Sequence, residues 1–130
     1  MASLKFASTF IAATFLALSS TQAQEGDPAA GKTVFNKCRA CHDVEAERNK
    51  VGPHLVGVVG RPATSVEGFA YSDNLKELAA AGLVWDEAKL AEYLANPKAM
   101  VPKGRMAFPG LRDDSEIANV IAYLKADPKP

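Results

Sequence analysis

The sequence predicts an all-α domain of about four to five short helices joined by long ordered loops. Three observations lead there. Four segments carry a helix-start signal followed by apolar residues at helical spacing. Residues 49 to 70 and 100 to 112 are punctuated by glycine and proline too often for a helix, and a strand through Leu55 to Val59 has no second strand to pair with. Finally, about four short helices make a thin core, so two long apolar loops need something else to pack on.

The elements follow in chain order. "MASLKFASTFIAATFLALSSTQAQ" joins a lone Lys5 to an apolar run from about Phe6 to Leu18 and then to Thr21-Gln22-Ala23, the pattern of a secretory signal cut after Ala23. A retained membrane anchor is the competing reading, but the run is shorter than the ~20 residues of a span and contains Ser and Thr. The expectation is therefore a cleaved signal peptide over 1–23 and a single domain over 24–130, which is 107 residues, exported to the periplasm. In "GDPAAGKTVFNKC", Asp27 is the N-cap and Pro28 takes the first helical position, where its missing N–H costs nothing. The helix runs to about Lys37 with Val34 and Phe35 inward. In "YSDNLKELAAAG", Ser72 caps, Leu75 and Leu78 share a face and Gly82 stops the helix; "DEAKLAEYLANP" runs from about Asp86 until Pro97 ends it. In "DDSEIANVIAYLKAD", Asp113 and Glu116 stand at capping-box spacing. Ile117, Val120, Ile121 and Leu124 form one stripe, which makes this the strongest helix.

Charge adds little. Removing Lys5 leaves 14 basic against 15 acidic side chains, a balance that gives no footprint for nucleic acid or a bulk membrane surface. A monomer, not integral to the membrane, is expected.

Chemistry concentrates in Cys38-Arg39-Ala40-Cys41-His42. A thioredoxin-like dithiol needs a βαβ context, which is missing, and an oxidising compartment does not keep an idle thiol pair. Structural zinc needs four ligands; His54, twelve residues past His42 in a Gly-Pro turn, gives no zinc spacing. C-x-x-C-H remains as covalent haem attachment, with two thiols added to the haem vinyl groups and the adjacent imidazole on the iron. One haem c per chain also supplies the core that the loops enclose.

The sixth iron position separates carrier from catalyst. Its candidates are Met100, Met106 and His54. Met100 follows Asn96-Pro97-Lys98-Ala99 just past a helix end, the place of a gap-filling core methionine. Met106 is favoured, because it lies in a loop bounded by Pro102, Gly104, Pro109 and Gly110. His54 is close in sequence to His42 and awkwardly placed for the opposite face. A sixth ligand that leaves easily would instead give a haem-based sensor or a peroxidase-like enzyme.

"GKTVFNKCRACH", "VGPHLVGVVGR", "GFAYSDNL", "LVW", "LAEYLANPKAMVPKGRMAFPGL" and "IANVIAYLK" together resemble class I cytochrome c, close to the mitochondrial type and to the bacterial periplasmic cytochrome c2 group. The likeness runs from Gly26 to about Ala126. It implies a cytochrome c fold, with short helices and long loops wrapped around one haem and the terminal helices crossing at Gly31, Phe35, Val120 and Tyr123. It implies thioethers at Cys38 and Cys41, with His42 and Met106 as the iron ligands. It also implies the Pro53 carbonyl on His42, Arg61, Tyr71 and Trp85 around the propionates, and Tyr93 beside the methionine sulfur. Two positions depart: Lys103-Gly104-Arg105 lacks a hydroxyl that the family often has there, and Leu75 replaces a frequent Asn.

The resemblance implies a one-electron carrier, not an enzyme. Its partners would be redox proteins or membrane complexes such as a cytochrome bc complex, an oxidase or a photosynthetic reaction centre. Lys37, Arg39, Lys98, Lys103 and Arg105 are expected to frame the exposed haem edge as a basic docking face, with Asp113, Asp114 and Glu116 elsewhere.

Overall fold

The computed structural model describes residues 25–130; the expected signal peptide lies outside the described residues. Asp27 is extended and its carboxylate accepts the Ala29 N–H, which starts α1 (Pro28–Phe35) with Pro28 at its first position. The helix ends two residues short of Lys37. From Asn36 the chain tightens into successive turns, with the Lys37 N–H on Val34 O at 3.1 Å and the Cys38 N–H on Phe35 O at 2.8 Å. The turn continues through Cys41, so both thiols and His42 project from a bend and not from a helix.

Three further expected helices are present: α2 (Asp73–Ala80), α3 (Glu87–Ala95) and α5 (Asp114–Lys125). Ser72, Asp86 and Asp113 cap them through their side-chain oxygens. Gly82, at φ +100°, ends α2 in a Schellman motif: Leu83 N–H bonds Leu78 O at 3.0 Å and Gly82 N–H bonds Ala79 O at 2.9 Å. A one-turn helix, α4 (Pro97–Met100), was not foreseen by the four-helix reading. Pro97 ends α3, but it also starts α4, because Asn96 is the C-cap of one and the N-cap of the other and its side chain accepts the Ala99 N–H at 3.2 Å.

Among the described residues no strand forms, and Leu55 to Val59 is loop. A lone antiparallel bridge, Pro62 to Val84, staples the first long loop to the α2–α3 connection.

The terminal helices α1 and α5 cross, and that crossing is the frame. At Gly31 any Cβ would strike the backbone carbonyl of Asn119, so only glycine permits the approach. Phe35 and Tyr123 meet there with ring centroids 5.4 Å apart, and Val34, Ile117, Val120, Ile121 and Leu124 complete the buried layer. Each large side chain buried this way contributes roughly 1.5–3 kcal/mol. The Asn119 side chain accepts the Asp27 N–H at 2.8 Å, locking the start of α1 onto α5.

Candidate functional site

His42 leaves the bend with its ring against the backbone of Gly52, where a Cβ would collide with the imidazole. Its Nδ1–H donates to Pro53 O at 2.7 Å. That bond fixes one tautomer and leaves Nε2 with its lone pair available to a metal. Burial pushes the His42 pKa below the usual histidine value, and the Pro53 hydrogen bond opposes this; neutral imidazole is the metal-binding form. Cys38 and Cys41 are free and half-buried beside it. Burial raises the Cys38 thiol, and Lys37 pulls it back.

The loop that carries Pro53 is held by short-range bonds. Gly52 N–H bonds Cys41 O at 2.9 Å, Leu55 N–H bonds Asp43 O at 2.7 Å, and Lys50 Nζ reaches Arg39 O at 2.6 Å. His54 donates its backbone N–H to Asn49 Oδ1 at 3.0 Å. Its ring is half-buried and lines a groove with Glu47, Asn49 and Glu67.

A second group assembles around Arg61. The guanidinium donates to His54 O and Val56 O, both at 3.1 Å. Its Nε is buried with no partner among the described residues. Backbone bonds from Trp85 N–H to Arg61 O at 2.9 Å and from Gly60 N–H to Trp85 O at 2.7 Å bring Trp85 alongside. Burial pushes the Arg61 pKa down and nearby Tyr71 opposes this; Tyr71 is buried and its phenol oxygen accepts the Val66 N–H at 3.2 Å. Arg61, Tyr71 and Trp85, separate in sequence, therefore converge.

Trp85 also starts a line towards the methionine. Its ring lies 4.9 Å from that of Tyr93, whose hydroxyl points at Met106 Sδ, 3.9 Å away. Burial raises the Tyr93 pKa, so the phenol stays protonated and remains a donor. Met100 sits on α4, packed against the core, as a gap-filler does. Leu75 is likewise half-buried on the core.

These surroundings fit a haem. Two free thiols, an oriented imidazole and an orphaned Arg61 Nε aimed at no protein acceptor match its vinyls, iron and propionates respectively. Leu55, Val59, Leu75, Leu94 and Phe108 are only half-buried on the core and leave apolar surface that a porphyrin could cover.

Lys37, Arg39, Lys98, Lys103 and Arg105 are all exposed. One part of the charge reading is corrected: Glu116 does not sit elsewhere but pairs with Lys37 at 2.9 Å, because the α1–α5 crossing carries the start of α5 next to the cysteine bend. Glu116 therefore does not close a capping box on Asp113. Arg105 and Lys98 are also tied down, by Ala70 O at 3.0 Å and Gly104 O at 2.7 Å. Sequence reasoning missed two contacts. Gly52 read as loop punctuation, although the glycine before a proline that faces the histidine was a usable signal. Asn74, whose Oδ1 accepts the Lys103 N–H at 3.1 Å across 29 residues, gave no local signal at all.

Comparison with known proteins agrees with this geometry. The family described as cytochrome c matches residues 28–126. Cytochrome c-554 of Methylosinus trichosporium is 49% identical over 118 residues, covering 89% of this chain and 87% of that protein. Cytochrome c2 of Rhodoblastus acidophilus is 49% identical over 106 residues, covering 78% and 96%. The solved structure of cytochrome cH from Methylobacterium extorquens superposes with a TM-score of 0.70 at 48% identity, covering 77% of this chain and 98% of that one.

Proposed function

We propose that this chain, which belongs to the cytochrome c family, is a one-electron carrier working in the periplasm after loss of residues 1–23, with residues 24–130 as its single domain. The observation that carries the reading is the His42 Nδ1 to Pro53 O bond, which presents Nε2 directly after a C-x-x-C pair. Haem c, when bound, supplies an iron that alternates between ferrous and ferric states. Everything else is the work of the chain's own residues.

Cys38 and Cys41 tether the group through thioethers. His42 is one iron ligand, oriented by Pro53 and by contact with Gly52. Met106 is the other, its thioether steadied by the Tyr93 hydroxyl. A neutral sulfur ligand and a buried setting both favour the ferrous state, so the potential is positive. Arg61, Tyr71 and Trp85 take the propionates, and Arg61 Nε gains its acceptor. With both iron ligands supplied by the protein, neither oxidation state needs a new ligand and little reorganises on transfer.

No helix among the described residues is long and apolar enough to cross a membrane. The partners are redox proteins or membrane complexes of the cytochrome bc, oxidase or reaction-centre kind. Docking is steered by Arg39, Lys98, Lys103 and Arg105, with Lys37 partly neutralised by Glu116.

Purified holoprotein tests the assignment. Its mass should equal residues 24–130 plus one haem, and its pyridine haemochrome should show the thioether-shifted band. The ferric far-red sulfur-to-iron band should be present, voltammetry should be reversible, and carbon monoxide should bind poorly at neutral pH. A missing far-red band with ready carbon monoxide binding would overturn the carrier reading in favour of a sensor.

A further inference from the structure

The segment before Met106 is held in an unusual way. Val101 is buried at 2% exposure, which fixes the segment's start, but Pro102, Lys103 and Arg105 are exposed. An open groove lined by Asn74, Glu77, Pro102, Lys103 and Arg105 runs between this segment and α2. Hydrogen bonds therefore secure residues 102–105 where apolar packing does not, and one of them comes from α2 itself. Arg105 Nη1 reaches Ala70 O just before α2, and Lys98 Nζ spans back from α4 to Gly104 O. Both are long, flexible side chains at exposed positions. The third bond is of another kind: the short Asn74 side chain, on the first turn of α2, accepts the backbone N–H of Lys103 through Oδ1.

We propose that Asn74 is a positioning residue for the methionine loop, clasping residues 102–105 to α2 and so setting how often Met106 swings away from the iron position. The inference rests on Met106 being the iron ligand. The physical reason is stiffness. Asn74 has two side-chain torsions and bonds a main-chain atom, so its contact constrains the loop backbone three residues from the sulfur. A lysine or arginine contact through four or more torsions constrains it less. Losing one such bond changes the open fraction of the loop by about fivefold, the Boltzmann weight of a typical intramolecular hydrogen bond.

The experiment uses ferric holoprotein, with free imidazole as an entering ligand and amide hydrogen exchange at Lys103. N74A should speed imidazole entry and Lys103 exchange by about fivefold each, while the far-red band persists at equilibrium because the closed loop still dominates. N74D keeps an acceptor oxygen at the same place and should stay within about twofold of the unmodified protein in both. A merely structural role for position 74 would not be rescued in this way. The proposal is overturned if N74A matches the unmodified protein in both readouts, or if N74D behaves as N74A. M106A separates it from the ligand assignment. If M106A leaves imidazole entry unchanged, that assignment fails, and Lys103 exchange alone then decides whether Asn74 clasps the loop.

Discussion

The His42 side and the Met106 side of the candidate site differ in how far along the chain their contacts reach. On the His42 side, backbone bonds join Gly52 to Cys41 and Leu55 to Asp43, and the His42 ring bonds Pro53 O, all across no more than 12 residues. On the Met106 side, besides the local Lys98 bond to Gly104 O, the contacts come from side chains of Tyr93, Asn74 and Arg105 and reach 13, 29 and 35 residues along the chain. Backbone bonds between near neighbours are set as soon as the local turn forms. Side-chain bonds across long separations require the whole fold and are lost one at a time. The first side is suited to hold a ligand permanently, and the second to hold one that must stay while remaining able to move.

The largest expected effect comes from breaking the rigid side. G52V drives a branched side chain into the His42 ring, which can yield only by straining its bond to Pro53 O. Overpacking of this kind costs about 1–3 kcal/mol by itself, and here it also displaces the ligand. Holoprotein yield, read by haem staining after expression with the maturation machinery, should fall at least about tenfold. A normal yield with an unshifted spectrum would show that the two sides do not differ in rigidity.

M106A tests the other side and should act later. The protein should still attach its haem, because the thioethers and His42 are untouched, but the far-red band should vanish and carbon monoxide should bind readily. Imidazole entry should rise by more than in any variant that only loosens the loop, since no internal ligand competes. Loss of haem attachment in M106A equal to that in G52V would erase the contrast.

How far the two sides could be read in the sequence follows the same division. Cys38, Cys41 and His42 are local and stood out as one motif, whereas the role of Pro53 came from the family resemblance. The caps Asp27, Ser72 and Asp113 were legible too, because a cap is a relation between residues two or three apart. The helix Pro97–Met100 was missed because a proline after an asparagine marks the end of one helix and the start of another with the same two letters. The Lys37–Glu116 pair and the Asn74 clasp link residues 79 and 29 apart, and no spacing rule predicts them. The roles of Arg61, Tyr71, Trp85 and Tyr93 came from family resemblance and not from the residues, since their convergence depends on the loop path between Gly60 and Trp85.

Y93F probes the softer contact with a smaller change. It removes the hydroxyl that faces Met106 Sδ and leaves the ring in its tilted contact with Trp85. Sulfur is a weak acceptor, so the loss should be about 0.5–1 kcal/mol in loop stability, seen as a two- to fivefold rise in imidazole entry with the far-red band retained. An unchanged entry rate would mean that the hydroxyl does not steady the sulfur.

Acid should distinguish the two sides most gently. Residues 100–112 contain no carboxylate, so the methionine loop has nothing of its own to titrate below neutrality. The frame does. Asp113, which caps α5, has its pKa lowered by the Ser115 hydroxyl first and then by the Ser115 and Glu116 backbone N–H groups. Its folded pKa lies below its unfolded one, so its contribution is present above the unfolded value of about 3.9 and is lost as pH falls through the folded value. D113N keeps a capping oxygen without the charge. It should therefore be slightly less stable than the unmodified protein at pH 7 in guanidinium unfolding, and the gap should close as pH falls below the unfolded value. Over the same range the far-red band should persist until global unfolding, because acid loosens the α1–α5 frame behind His42 and not the clasp in front of Met106. A band that fades while α5 is still folded would point instead to the carboxylates of α2 that line the groove beside the loop, Asp73 and Glu77.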